Sequence, residues 1–78
     1  MPRFYFDFKS ADYIAKDRIG TVLRDVNAAK AEATVAAAEW IKDHACVEGT
    51  ELCLSVRNGS RTPVFVVNAA IKVGSGTR

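Results

Sequence analysis

The run Asp25–Ala45, DVNAAKAEATVAAAEWIKDHA, constrains this chain most, because no other segment is long and periodic enough to commit to one element. Val26, Ala29, Ala33, Ala36, Ala37 and Trp40, with His44 at the end, fall within about 100° of one another at 3.6 residues per turn. That stripe predicts one amphipathic helix with its apolar face turned to a core. Asp25 is the expected N-cap, since its carboxylate can accept from free N–H groups of the first turn and suits the helix dipole. Asn27 competes for that role, and Gly49 is the expected stop. Alanines in the stripe let the helix lie close to a sheet, and Trp40 supplies the one large anchor.

Short alternating runs flank the helix. In Arg3–Lys9, Phe4, Phe6 and Phe8 share one face, while Arg3, Tyr5, Asp7 and Lys9 share the other, which predicts a half-buried strand. Ser10 to Asp17 is polar and irregular. Asp17-Arg18-Ile19-Gly20 carries Asp first and Gly fourth, the preference of a type I turn. Thr21–Leu23 reads as a brief second strand pairing back onto the first. After the helix, Glu51–Arg57 alternates with Leu52, Leu54 and Val56 inward. Asn58-Gly59 is a hairpin signal, and Val64–Val67 is the return strand. Pro63 suits a strand start or an edge. A strict two-residue loop would turn Arg61 and Pro63 inward, so a longer loop from Arg57 to Arg61 is the alternative. Residues 69–73 extend the strand or turn.

The order strand–strand–helix–strand–strand predicts an α+β domain over residues 1–73, a mostly antiparallel sheet with one long helix on one face. Residues 74–78 form an expected tail. Seventy-eight residues make a core that supplies no more than about 3–5 kcal/mol of net stability. Small chains gain the rest from disulfides, a metal or a partner subunit, and the first two are poorly supported here.

Eleven Lys and Arg are scattered among nine acids for a net charge of +2, unlike the clustered basic stripe of a nucleic-acid binder. No apolar run approaches the roughly 20 residues needed to span a bilayer. Arg3 leads into an alternating strand rather than a secretory apolar stretch, so we expect a cytoplasmic protein with reduced thiols at Cys46 and Cys53.

The residues that carry chemistry do not assemble. His44, Cys46 and Cys53 lack the paired spacing of structural zinc, so no metal is expected. Cys53 has no base placed beside it to make a nucleophile. Asp12 and Asp17 fit turns, and Asp25 a cap, without a cation. No phosphate-binding glycine loop or nucleophilic triad is present, so neither a cofactor nor catalysis is expected. Arg3, Tyr5, Lys9 and Arg57 share the outer sheet face and form a weak candidate RNA contact, with one aromatic and an intervening Asp7. On the outer helix face, Ala28, Ala31, Val35 and Ala38 cluster where Lys and Glu would be usual. This small-residue strip is the candidate interaction surface, although alanine's helix propensity accounts for it equally well.

Met1 to Phe6, Asp17 to Gly20, and Asp25-Val26-Asn27-Ala28-Ala29-Lys30-Ala31-Glu32-Ala33 resemble the M-P-R-aromatic-aromatic-F, D-x-x-G and D-hydrophobic-x-x-A-x-x-E-A motifs of a family of small proteobacterial proteins, a domain of unknown function. The resemblance reaches about Val67 and implies the fold without an activity. The Asp-Gly usual after the first strand is missing. The strand–helix order is more loosely similar to HicB-type antitoxins, which implies a small ribonuclease toxin as partner. Many of those carry a further DNA-binding segment, for which this chain has no room.

The sequence-based expectation is a non-enzymatic interaction module that self-associates, as a dimer, or binds a small protein partner. Nucleic acid and membrane are not expected partners. The alternative is an antitoxin-like or RNA-associated regulator.

Overall fold

The computed structural model describes residues 1–11, 13–44, 50–59 and 62–71. Five strands and one helix follow in the order β1 (Arg3–Ser10), β2 (Tyr13–Ala15), β3 (Thr21–Val22), α1 (Val26–His44), β4 (Glu51–Arg57) and β5 (Phe65–Ala70). The sheet runs β2-β1-β4-β5, with β3 also on β1, and every pairing is antiparallel. The fold is α+β, with one helix on an antiparallel sheet. Expectations for Asp12, Ala45, Cys46, Gly49, Arg61, residues 72–73 and the 74–78 tail lie outside the described residues.

The alternation in β1 and β4 sets the core. Phe4, Phe6, Leu52, Leu54 and Val56 are buried on one face, joined by Ala29, Ala33 and Ala37 of the helix. The alanines present little more than backbone, which lets α1 sit close over β4 and β5. Phe8 is only half-buried, because the helix covers β4 and β5 rather than the β2 side of the sheet.

Three helix positions differ from the expected stripe, and one of them is His44, which is exposed. Val26 is 41% exposed in the first turn, and Ile41 packs against the core in its place. Asp25 is the N-cap: its Oδ1 accepts from the Ala28 N–H at 2.8 Å. At the other end, His44 stacks on Trp40 with ring centroids 4.2 Å apart, and its Nδ1–H donates to the Trp40 carbonyl at 2.8 Å.

β2 is a strand where the sequence reads as irregular. It pairs Ser10 with Tyr13 and Phe8 with Ala15, and Tyr13 packs against Trp40 at 5.8 Å between centroids. β3 is the expected brief strand, pairing Phe4 with Thr21. β2 and β3 are the two ends of one return passage along β1. Ile14 faces Lys9 and Val22 faces Arg3, so the return chain takes eight steps where β1 takes six. The surplus forms the turn at Asp17–Gly20.

The β4–β5 connection is longer than both expectations, the two-residue loop and the loop from Arg57 to Arg61. Val56 pairs with Phe65, whereas a two-residue loop at Asn58-Gly59 would pair Val56 with position 61. Gly59 takes φ +104°, a left-handed conformation suited to glycine. The Val64 N–H also donates to the Val56 carbonyl at 2.7 Å, so two residues face one and the strand begins on a β-bulge.

Candidate interaction surfaces

Among the described residues, the outer sheet face, the outer helix face and the outer edge of β5 lie outside the core.

Register places Tyr5 opposite Arg57, Asp7 opposite Ser55, and Lys9 opposite Cys53, so the strand candidates for RNA contact do share the outer face. Their chemistry is largely committed within the chain. Arg57 Nε donates to Asp7 Oδ2 at 2.6 Å, and Nη2 donates to Asp7 Oδ1 and to the Asp17 carbonyl, each at 3.1 Å. Its guanidinium also lies 5.0 Å from the Tyr5 ring centroid, occupying an aromatic face that a base would need. Arg3 Nη1 donates to the Ile19 carbonyl at 2.9 Å. Lys9 stays exposed.

Asp17 organises the turn beneath this cluster. Its Oδ2 accepts from the Phe6 N–H at 3.1 Å, so a side chain stands where a strand carbonyl would otherwise sit. Its Oδ1 accepts from the N–H groups of Ile19 and Gly20 at 3.0 and 2.9 Å, and its own N–H donates to Asp7 Oδ1 at 3.0 Å. Gly20 completes the turn with φ +77°, and an added Cβ would meet Arg3 Cγ at 2.8 Å and Tyr5 Cε2 at 2.9 Å. The D-x-x-G spacing is therefore a structural clamp in this fold: Asp supplies three acceptor contacts, and glycine alone fits both the conformation and the space.

Both carboxyls of the cluster lie below their ordinary value. At Asp7 the Arg57 hydrogen bond is the largest influence and lowers it; burial opposes, and the Asp17 N–H adds to the lowering. At Asp17 burial is the largest single influence and raises it, but the N–H groups of Gly20, Phe6 and Ile19 together outweigh it.

On the helix, Ala31, Val35 and Ala38 are exposed, Val35 at 55%, while Ala28 is half-buried beside the cap. Among the described residues, no contact brings these four into a site, and Ala31, Val35 and Ala38 form an exposed small-residue face.

The outer edge of β5, on which no other described strand pairs, is the surface that sequence reasoning missed. The Ile71 N–H donates to the Thr50 carbonyl at 3.0 Å, which fixes the phase of the β4–β5 ladder. Ile71, Ala69, Val67 and Phe65 then bond inward to β4, and Ala70, Asn68 and Val66 direct their backbone groups off the sheet. Val66 is 46% exposed there. The uncharged sequence FVVNAA was the available signal.

Of the cysteines, Cys53 is described, and it is a half-buried free thiol. It borders an open groove of about 1140 Å³ that also touches Tyr13, Trp40 and His44. Among the described residues, no three His, Cys, Asp or Glu side chains are grouped to hold a metal, and no helix is long and apolar enough to cross a membrane.

No curated protein and no solved structure matches this chain. Residues 3–70 match the family model of a domain of unknown function, DUF6894, and the chain belongs to that family.

Proposed function

We infer that this protein is a non-enzymatic interaction module that works by self-association, in the cytoplasm. The observation that carries the reading is the edge of β5 on which no other described strand pairs, six uncharged residues with Val66 exposed. An isolated sheet leaves such an edge ready to accept another strand. The small core adds weight, since burial against a second copy would supplement the roughly 3–5 kcal/mol that a chain of this size secures alone. Exposed Val35 and the alanine strip of α1 offer a second apolar surface on the same molecule. The polar groups best placed for chemistry, Asp7, Asp17 and Arg57, are occupied in holding the turn to the sheet. Reduced Cys53 suits the cytoplasmic compartment.

The test is the mass of the wild-type chain by light scattering over a dilution series. A dimer that dissociates on dilution supports the reading; a monomer throughout removes it. The alternative, a HicB-like antitoxin or RNA-associated regulator, draws less support from the same geometry, because Arg57 is committed to the Tyr5 ring and the Asp7 carboxylate. Salt-sensitive RNA binding, or co-purification of a small ribonuclease, would restore it.

A further inference from the structure

We propose that β5 pairs antiparallel with β5 of a second copy about a two-fold axis at Asn68, joining two sheets into one. This rests on the self-association reading and names its surface and register.

Among the described strands, β5 forms the edge better suited to accept another strand. At the opposite edge, β2 is three residues long and is followed at once by exposed Lys16. Chains protect sheet edges with shortness, charge, proline or bulges. β5 has Pro63 and the Val64 bulge before its start, and nothing of the kind between Phe65 and Ala70. Val66, Asn68 and Ala70 direct N–H and C=O groups outward, and among the described residues no hydrogen bond meets them.

The sequence of that edge complements itself. An axis at Asn68 sets Val66 opposite the second copy's Ala70, a larger side chain against a smaller one. Asn68 then faces Asn68 of the second copy, and a carboxamide carries both donor and acceptor, so it can bond its own kind. The three outward residues of each copy would exchange about six backbone hydrogen bonds. An axis at Val67 instead sets Asn68 against Val66, polar against apolar. Pairing of this kind is isologous and closes at two copies.

The experiment reads amide hydrogen exchange and mass on the wild-type chain and two variants. Asn68→Pro removes an outward donor while leaving the β4 ladder its bonds, and Asn68→Lys puts charge on the axis. The expected result is a wild-type dimer, at least about tenfold slower exchange at Val66, Asn68 and Ala70 in concentrated than in dilute solution, and folded monomers for both variants. If Asn68→Pro fails to fold, Asn68→Lys and the wild-type exchange decide. A dimer that persists in Asn68→Lys, with no concentration-dependent protection at the three amides, overturns the edge pairing while self-association stands. Loss of that dimer in Val35→Glu would then assign it to the helix strip. A wild-type mass above the dimer overturns the two-fold closure. A monomer at every concentration overturns both readings and leaves the edge to a foreign strand.

Discussion

Arg57 Nε lies 2.6 Å from Asp7 Oδ2, although fifty residues separate the two in the chain. The contact is diagonal across the β1–β4 ladder, with Arg57 opposite Tyr5 and Asp7 opposite Ser55. Only 16% and 21% of the two side chains is exposed, against 83% and 52% for the Arg24–Asp25 pair. Solvent screens the second pair far more than the first. Asp7→Ala is therefore expected to lower the melting temperature clearly, since it strands Arg57 and removes the acceptor of the Asp17 N–H. Arg24→Ala should stay within about 0.5 kcal/mol of wild type. Equal melting temperatures for the two variants would contradict this assignment.

Asp17→Ala leaves the N–H groups of Phe6, Ile19 and Gly20 without their acceptor. The expected loss is about 1–3 kcal/mol in a denaturant titration. Gly20→Ala should cost a similar amount, because a left-handed backbone and a crowded Cβ act together. Gly59→Ala shares the left-handed backbone but meets nothing within 4 Å, so it should cost less. The reverse order would mean that the Asp17–Gly20 turn is not the clamp described.

Stability should fall in acid with a slope set by these carboxylates. Asp7 and Asp17 are held below their ordinary value of 3.8 in the folded chain. A group with a depressed folded pKa stabilises above its unfolded pKa and loses that contribution as pH falls through the folded one. The melting temperature should therefore hold from neutral pH to about pH 5, then drop below about pH 4. A variant carrying both Asp7→Asn and Asp17→Asn should start lower and change less over that range. An acid transition as steep as wild type's in that variant would sink the assignment.

Phe6→Ala should remove about 3–5 kcal/mol, the whole net stability available to a core this size, and give an unfolded chain by circular dichroism. Phe8→Ala should cost less, since Phe8 is only half-buried. A folded Phe6→Ala chain would show that the core draws stability from elsewhere, with a second subunit the first source to examine.

The elements with a strong period were legible in the sequence. β1, β4, the helix, the Asp25 cap and the Asp17–Gly20 turn each carry their own local signal. β2 was not legible, because three residues are too few for a period and Ile14 points outward at 76% exposure. The sequence leaves the extension of β5 over Ala69 and Ala70 open, since alanine has little strand propensity and both residues are held by their pairing with β4. Val26 and Ile41 traded places because a helical wheel does not record where the sheet beneath it ends. The Arg57–Asp7–Asp17 cluster has no sequence signature, as it depends on register between strands far apart in the chain. The β5 edge became visible only with the strand order, which shows which strand lies outermost.

The most direct measurement is the light-scattering mass of the wild-type chain across a dilution series reaching about 1 mM, where even an interface worth only about −4 kcal/mol is populated. The account predicts twice the 8.5 kDa chain mass at the concentrated end, falling toward 8.5 kDa on dilution. A mass of 8.5 kDa across the whole series would contradict it.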